Sequence, residues 1–288
     1  MSAELLAAPD KGGGLLDVFR RRELLRLIVR KELKVRYRGS VLGLLWSYVK
    51  PGVQFIVFYF ALGVFLGLNK QPNFVIYMFS GIILVNFFSE AFSNATRSIV
   101  ANGALVKKIF LPRELFPVAS VWVAMVHFLP QFLILLTACF FFGWTPSIVQ
   151  ILGAVGAFII VAMLSLGLGL LFAAANVMFR DSENIVDLML MMATWLSPVL
   201  YAWYLVRDAL GETFYFFYQL NPMTIAVELF HFAFWAPTGA VRNAAEGARM
   251  PENLISLWLP VGLLISLALL AIGQTVFRRL EGRFAQEL

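Results

Sequence analysis

Residues 115–179 read LFPVASVWVAMVHFLPQFLILLTACFFFGWTPSIVQILGAVGAFIIVAMLSLGLGLLFAAANVMF and contain no Asp, Glu, Lys or Arg. A helix needs about 20 apolar residues to cross the hydrocarbon of a bilayer, so this stretch is too long for one crossing and suits two. Residues 143–146, Gly-Trp-Thr-Pro, lie near its middle and are typical of a turn. The sequence therefore predicts a hairpin of two membrane helices.

Four more charge-poor stretches surround this hairpin, at residues 53–68, 74–89, 188–206 and 254–276. Hydrophobic residues make up 60% of the 288 residues and charged residues only 14%, which is the composition of a membrane protein. Six crossings leave too few residues for a soluble catalytic domain. We therefore expect an all-α integral membrane protein in which residues 39–288 form a single domain of six transmembrane helices.

The positive charges are unevenly distributed along the chain, and their distribution predicts its orientation. Lys and Arg are frequent before the first span, between the second and third spans, and after the sixth span, whereas the alternate loops contain few. Basic loops remain in the cytoplasm, so both termini and the loop at residues 97–117 are predicted to be cytoplasmic. The first forty residues lack the early apolar segment of a cleaved signal peptide.

Residues 1–14 include Pro9 and three consecutive glycines, and we expect them to form a flexible cytoplasmic tail. Residues 15–38 have helical periodicity, with Leu24, Leu27 and Ile28 on one face and basic residues opposite. Such a helix lies in the membrane interface with its cations among lipid phosphates, which makes membrane lipid a partner. The alternative is a solvated basic arm, and nucleic-acid binding is not expected because the arm is joined directly to a span. The basic residues of this interface helix are Arg22, Arg26, Arg30 and Lys34.

The loop at residues 97–117 combines basic and apolar residues in a short helix predicted at 104–110. A loop without a partner has little reason to expose apolar side chains beside lysines. We therefore interpret this helix as a coupling element that docks a cytoplasmic subunit. Its candidate contact residues are Ala104, Leu105, Lys107, Lys108, Ile109, Phe110, Arg113 and Glu114.

Glu90 is the one carboxylate inside a predicted span. An ionisable group at membrane depth is a functional candidate. Arg97 follows two turns later, so the alternative is that the span leaves the membrane at Glu90. The sequence favours neither reading.

Residues 207–251 form a long region between the fifth and sixth spans that is predicted to be external. It contains an aromatic run at 213–220 and an apolar run at 223–235, each shorter than a span. Two short re-entrant helices are expected here. Asn221 is a good helix cap and Pro222 suits the first helical position, so Asn221, Pro222 and Met223 are predicted to begin the second of them.

Several kinds of chemistry have no motif in this sequence. There is no Gly-rich loop that ends in Gly-Lys to hold nucleotide phosphates, no His-Glu-x-x-His, and a single cysteine, Cys139. We therefore predict no catalytic residue, no metal site and no cofactor in this chain. An ion-coupled transporter would place ionisable groups in several spans, so we expect the energy to come from a partner.

The chain resembles the permeases of polysaccharide-exporting ABC transporters, a family that moves O-antigen, teichoic acid, capsular and galactan chains. The matching motifs are spread over nearly the whole chain in the same order as in that family. Each motif alone is weak, and only the set is specific. The motifs that carry it are Arg30-Lys-Glu-Leu-Lys-Val-Arg-Tyr-Arg-Gly-Ser40 followed by Leu42-Gly-Leu-Leu-Trp46, Leu111-Pro-Arg-Glu-Leu-Phe-Pro117, Phe179-Arg-Asp181, Ser197-Pro198 and Asn221-Pro222-Met223.

The resemblance implies a homodimer of this permease in the bacterial plasma membrane, together with two nucleotide-binding subunits that carry ATP and Mg²⁺. It implies that the substrate is a lipid-linked polysaccharide, whose identity the sequence does not give. A permease of the same fold for a drug or small lipid, and a membrane-embedded glycosyltransferase, are the alternatives. The residues expected to line a channel are Phe55, Tyr59, Phe87, Phe88, Trp195 and Tyr201, and the external helices at Asn221, Pro222 and Met223 are expected to gate it.

Overall fold

A computed structural model describes residues 14–68, 71–108, 111–244 and 249–288, and these residues form helices and connecting turns without a β-strand. The helices are α1 Leu15–Arg20, α2 Arg22–Arg36, α3 Trp46–Phe58 with a π-helical continuation over Tyr59–Phe65, α4 Phe74–Ala101, α5 Gly103–Lys108, α6 Leu115–Phe141, α7 Ile148–Met178, α8 Ser182–Trp195, α9 Trp203–Gln219, α10 Pro222–Phe230 with a π-helical continuation over His231–Trp235, α11 Gly239–Arg242, α12 Leu259–Leu280 preceded by a π-helical turn over Leu254–Trp258, and α13 Phe284–Glu287.

Five helices in the described ranges are long and apolar enough to cross a membrane, which confirms the all-α integral membrane class. The hairpin predicted from residues 115–179 is formed by α6 and α7, and the chain reverses at Gly143, whose φ is +68°. A sixth crossing stays a prediction. The five helices are Trp46–Phe65, Phe74–Ala101, Leu115–Phe141, Ile148–Met178 and Leu254–Glu287.

The interior is built from α4, α6, α7, α10 and α12. α4 lies at its centre and buries residues on all sides, including Ile82, Leu84 and Phe92. α7 and α12 approach one another through glycines, since a Cβ built on Gly273 would lie 2.1 Å from the carbonyl oxygen of Gly167. Small residues allow membrane helices to pack backbone against backbone in this way.

The loops lie at the two ends of the bundle and are joined to one another there by hydrogen bonds. At one end Trp235 Nε1 donates to the Pro72 carbonyl at 2.8 Å, and the Thr145 backbone N–H donates to the Pro237 carbonyl at 3.1 Å. We call this the outer end, because it carries most of the region predicted to be external. The loops after α3, α6 and α10 therefore meet on the same side of the molecule.

The opposite end, called here the inner end, carries α2, α5 and the C-terminal residues. Arg97 of α4 donates to Glu183 of α8 at 3.0 Å, and a Cβ on Gly103 of α5 would lie 3.7 Å from the side chain of Leu288. The segments predicted to be cytoplasmic thus share one end, as the charge distribution requires.

The fifth predicted span, residues 188–206, is not a continuous helix, and that part of the prediction is wrong. α8 ends at Trp195, and the chain turns before α9 begins at Trp203. Pro198 has no backbone N–H and its ring obstructs the preceding turn, so it kinks or breaks an α-helix, and here the helix ends before it. Hydropathy alone did not reveal this break.

Side chains from later segments satisfy the carbonyls that the end of α8 leaves free. The Leu196 carbonyl accepts hydrogen bonds from Asn221 Nδ2 and Thr224 Oγ1, both at 3.2 Å, and the Trp195 carbonyl accepts from the Tyr201 hydroxyl at 2.6 Å. The last turn of a helix needs such partners when water is excluded. The break is therefore stabilised by the start of α10.

α9 and α10 form a hairpin whose turn contacts α8. Trp203 at the start of α9 donates to the Arg249 carbonyl at 3.0 Å at the outer end. At the turn, Asn221 accepts a hydrogen bond from the Met223 N–H at 3.0 Å and Pro222 occupies the first helical position, as the sequence predicts. α9 is broken at Gly211, whose φ is +79°, and the chain folds back there, because the ring centroids of Trp203 and Tyr215 lie 5.4 Å apart. The second half of α9 leads to the turn at Asn221, and α10 returns from that turn to the outer end. A re-entrant pair would follow this course, and its entry into the bilayer stays a prediction.

The N-terminal helix predicted at residues 15–38 is divided into α1 and α2 at Arg21. Leu25 of α2 packs with Leu115 and Val118 of α6. Leu24 and Ile28 pack in the same cluster, as predicted, whereas Leu27 is 59% exposed, so the predicted apolar face is wrong only at Leu27. The basic residues Arg22, Arg26, Arg30 and Lys34 are all exposed.

Candidate functional site

A polar cleft of about 700 Å³ opens toward the inner end, between α2, α3, α4, α6 and α8. Hydrophilic groups are rare in this chain, so their concentration at one place indicates a functional site. The lining side chains are Arg36, Tyr37, Ser40, Trp46, Ser47, Lys50, Pro51, Gln54, Asn86, Ser89, Glu90, Ser93, Asn94, Arg97, His127, Gln131 and Leu190.

Glu90 is the centre of a hydrogen-bond network in this cleft. Its Oε1 atom lies 2.6 Å from His127 Nδ1 and also pairs with the guanidinium of Arg36. The hydroxyl of Tyr37 lies 2.7 Å from His127 Nε2 and 2.9 Å from Ser47 Oγ. A neutral His127 with its proton on Nδ1 can donate to Glu90 and accept from Tyr37 at once. Glu90 therefore joins the end of the N-terminal helix to three membrane helices.

A second set of ion pairs connects α4 to α8 at the edge of the cleft. Arg97 Nε donates to Glu183 Oε2 at 3.0 Å, and Arg97 Nη2 donates to Asp187 Oδ1 at 3.2 Å. Glu183 also accepts a hydrogen bond from Asn176 Nδ2 of α7 at 2.9 Å. This arrangement fixes α8 beside α4 and α7, although α8 ends at the break described above.

The cleft has an excess of positive charge. Arg36, Lys50 and Arg97 line it against the single carboxylate of Glu90. The two arginines pair with carboxylates, and Lys50 is exposed on α3, so Lys50 is the cation that an entering anion would meet first. Amide and hydroxyl groups on the remaining wall both donate and accept hydrogen bonds. The site can hold a polar ligand with a negatively charged group.

The predicted coupling helix is α5. Its lysines and Ala104 are exposed, Leu105 is half-buried, and Ile109 and Phe110 lie outside the described residues. Glu114 is fully buried and accepts a hydrogen bond from Gln274 Nε2 at 3.0 Å. It therefore offers no surface to a partner subunit, and we remove it from the candidate coupling residues.

Arg113, the remaining coupling candidate, lies close to the C-terminal helix. Its guanidinium carbon is 5.7 Å from the centre of the Phe284 ring. A cation over an aromatic face is attracted by the ring quadrupole. The guanidinium of Arg113 is thus engaged within the chain, and α5 itself is the part of the loop that presents free side chains.

Four of the predicted channel residues lie at or near the surface. The rings of Phe55 and Tyr59 are stacked, with centroids 6.1 Å apart, and both are half-buried. Trp195 is 55% exposed at the end of α8, and Tyr201 is half-buried beside it. Along the chain these rings follow Gln54 of α3 and Leu190 of α8, the last residues of the two helices that line the cleft.

Phe87 and Phe88 are different, and the structure removes them from the predicted channel. They are 2% and 4% exposed inside the helix bundle. Phe87 stacks on Phe158 of α7 with a centroid distance of 4.9 Å. α4 is surrounded by other helices, so these rings form core and present no surface to a path between two copies of the chain.

The predicted gate residues have a local structural role in the turn between α9 and α10. Pro222 and Met223 are buried, and Asn221 bonds both the start of α10 and the end of α8.

Three residues of the cleft network were not predicted from the sequence: His127, Arg36 and Tyr37. The available signal was that His127 is the one titratable imidazole inside the uncharged stretch 115–179.

Comparison with known proteins identifies the family. The ABC-2 type transporter family matches residues 23–235. The chain is 27% identical to the O-antigen export system permease protein RfbA of Klebsiella pneumoniae over 266 residues, which cover 92% of this chain and 95% of that one. It is 30% identical to RfbA of Myxococcus xanthus, over 72% of this chain and 78% of the relative.

A more distant relative is also named for transport. The polysialic acid transport protein KpsM of Escherichia coli is 21% identical over 69% of this chain and 76% of its own length. The family match extends from the start of α2 through the cleft to the end of the π-helical continuation of α10. This chain belongs to the ABC-2 type transporter family.

Proposed function

We propose that this chain is the permease half of an ATP-driven exporter that moves a lipid-linked polysaccharide across the bacterial plasma membrane. Two copies of the permease form the path, and two separate nucleotide-binding subunits supply ATP hydrolysis with Mg²⁺. Both termini and α5 lie on the cytoplasmic side. The polysaccharide enters from that side and leaves at the outer end.

The polar cleft is the observation that carries this proposal. It opens between α3 and α8 toward the inner end, where the predicted cytoplasmic segments lie. A lipid-linked glycan has an apolar tail, a phosphate linkage and a hydrophilic chain. Arginine and lysine side chains bind phosphate, and the amides and hydroxyls of the wall suit sugar hydroxyls. The tail remains in lipid while the head enters the cleft.

The relatives support a polysaccharide substrate. The bacterial proteins compared above are named for export of O-antigen and for transport of polysialic acid. These are hydrophilic polymers of many sugars. A path for such a polymer must be polar or aromatic along its length, and the cleft followed by Phe55, Tyr59, Trp195 and Tyr201 has this character.

The N-terminal helix is the proposed link between ATP hydrolysis and the cleft. α5 and α2 are both at the inner end, and Lys31 of α2 bonds the side chain of Asn102, immediately before α5. Arg36 at the end of α2 pairs with Glu90 in the cleft. A subunit that displaces α5 therefore also displaces α2 and the Glu90 network.

The exposed face of α3 supports a homodimer. Gly63 is the buried residue of Trp46–Phe65 in the structure as described, whereas Val53, Ile56 and Phe60 are each at least half exposed. A helix that packs so little on its own chain is available to pack on a second copy. A different face of α3, which carries Ser47, Lys50 and Gln54, borders the cleft, so a dimer formed on α3 would lie beside the cleft.

Deletion of the gene and charge reversal at Lys50 test the proposal. A strain without the chain should lose one surface glycan and accumulate its lipid-linked form inside the cell. Complementation with the unchanged chain should restore export, whereas Lys50→Glu should reduce it at least tenfold because the reversed charge repels phosphate. Surface glycan is measured by gel and antibody or lectin staining.

The control is Arg279→Glu, a charge reversal at an exposed residue of α12 that does not line the cleft. It should leave export unchanged while altering net charge equally. Normal surface glycan in the deletion strain would refute polysaccharide export. Equal loss in both charge variants would refute the role of the cleft.

A further inference from the structure

A second cavity, of about 380 Å³, lies at the outer end of the chain. It is bounded by the loop after α3, the segment between α8 and α9, and the outer part of α10. We call it the outer pocket. Aromatic rings are frequent in its wall, and one carboxylate is present. The residues that carry the argument are Tyr77, Tyr201, Trp203, Tyr204, Glu228 and Trp235.

The polar atoms of the buried rings are already engaged, which holds the rings in fixed positions. Trp203 Nε1 donates to the Arg249 carbonyl at 3.0 Å, and Trp235 Nε1 donates to a carbonyl of the loop after α3 at 2.8 Å. The Tyr77 hydroxyl donates to the Tyr201 carbonyl at 2.8 Å. These hydrogen bonds leave the rings with apolar surface toward the pocket. A ligand would therefore meet a wall that needs little rearrangement.

Glu228 is the unusual residue of the pocket. Its side chain is on α10 and is 1% exposed, and its Oε1 atom has no hydrogen-bond partner in the described part of the chain. A buried carboxyl oxygen without a partner is costly, and in a native protein it needs an explanation. Because Glu228 lines the pocket, a ligand with hydroxyl groups would supply the missing donors.

The rim of the pocket disfavours a cationic ligand. The guanidinium of Arg207 lies over the Trp203 ring at 5.1 Å, and that of Arg249 lies over the Tyr204 ring at 5.7 Å. Each guanidinium covers one face of its ring, and its positive charge at the rim repels a cationic ligand. A neutral ligand with hydroxyl groups and an apolar face matches the remaining wall. A sugar ring has both.

We infer that the outer pocket binds one or two sugar rings of the exported glycan. This inference rests on the proposed function and extends it from the path to a binding site within each protomer. The volume of 380 Å³ is at the small end of ligand pockets, which range over about 300–1,000 Å³, and it excludes a longer segment of polymer. Aromatic faces stack on the C–H surface of the ring, and Glu228 accepts from its hydroxyls.

The position of the outer pocket along α4 determines how a sugar bound there would affect transport. The pocket is separated from the inner cleft by about half the length of α4, since Tyr77 is near one end of that helix and Glu90 is just beyond its middle. A sugar held at the outer end would keep a partly exported chain from sliding back between cycles. Binding must then be weak enough to release the ring at the next step.

The test uses the full-length chain in lipid nanodiscs and an oligosaccharide of two to six sugars. The oligosaccharide is released by mild acid from the surface glycan that disappears when the gene is deleted. Calorimetric titration should detect binding to the unchanged chain. Glu228→Gln keeps the size of the side chain but replaces one oxygen by an NH₂ donor, and it should weaken binding about tenfold, as expected for the loss of one hydrogen bond.

Tyr204→Ala should also weaken binding about tenfold, through loss of a stacking face. The matched control is Phe214→Ala, which removes an aromatic ring from the same helix at a residue that is 65% exposed and does not line the pocket. It should bind as the unchanged chain does. All variants are compared after size-exclusion chromatography shows the same assembly.

The outcomes separate this inference from the proposed function. Absent binding to the unchanged chain, or equal affinity in all variants, would overturn the outer pocket while glycan export stands. A weakening by Phe214→Ala as large as that by Tyr204→Ala would also overturn it. If no surface glycan disappears on deletion, the proposed function fails first, and the inference fails with it.

Discussion

Substitution of Gly273 by alanine should destabilise the helix bundle, because α7 and α12 touch there through their backbones. The added Cβ would lie 2.1 Å from the carbonyl oxygen of Gly167, whereas ordinary contacts begin at 3.4 Å. The helices must therefore separate locally by about 1.3 Å, the difference between those two distances. No side chain can rotate away to relieve the contact, since both atoms belong to rigid helices.

The size of the effect follows from that separation. Overpacking costs typically about 1–3 kcal/mol, and a gap of about 0.5–1 Å already removes a quarter to a half of the dispersion energy of the facing atoms. We therefore expect a loss of about 3 kcal/mol. For a chain of this size that corresponds to a fall in the apparent Tm of about 6–12 °C.

The assay is thermal unfolding of the purified protein in detergent, followed by intrinsic fluorescence and by loss of the monodisperse peak. Gly282→Ala is the control, because a Cβ at Gly282 would have no neighbour within 4 Å. It should unfold within about 2 °C of the unchanged protein, since surface substitutions usually change stability by less than about 0.5 kcal/mol. A Gly273→Ala protein with an unchanged Tm would refute the close packing of α7 on α12.

Four further predictions concern the cleft, the turn, the coupling loop and the path. Glu90→Gln removes the acceptor charge from the network, and it should reduce ATP-driven glycan export while the permease still assembles; unchanged export would show that the network is not coupled to transport. Asn221→Ala should lower stability by about 1 kcal/mol through loss of a helix cap, measured by the same thermal assay, and no change would mean that Asn221 does not cap α10. Replacement of Ile109 and Phe110 by Asp should abolish co-purification of the nucleotide-binding subunit without preventing membrane insertion, and normal recovery would remove α5 as the docking element. Trp195→Ala should impair export but leave basal ATP hydrolysis intact; normal export would place the path elsewhere.

The sequence predicted the helix class and the main spans because hydropathy over about 20 residues is set by the bilayer itself. The hairpin at residues 115–179 formed where the charge-free stretch and its Gly143 turn required it. The course of residues 188–206 could not be predicted in this way. Pro198 breaks the helix, but whether a break or a kink results depends on which later side chains reach the free carbonyls.

The candidate site was only partly predictable for a related reason. Glu90 was recognised as unusual, but its partners come from residues up to 54 positions away along the chain. Phe87 and Phe88 were assigned to a channel because they are aromatic. An apolar helix gives no pattern that separates its lipid-facing, core and path-lining sides, so their burial required knowledge of how α4 packs.

The contrast between α3 and α4 has a consequence for the order in which the chain is assembled. α3 is synthesised first and, with Gly63 as its buried residue in the described structure, can be stable in lipid before any later helix exists. α4 packs chiefly on α6 and α7, which are synthesised after it. Glu90 of α4 can pair at once with Arg36 of α2, but its other partner, His127, is on α6. The nascent chain therefore has to retain α4 near the insertion machinery until α7 has been made.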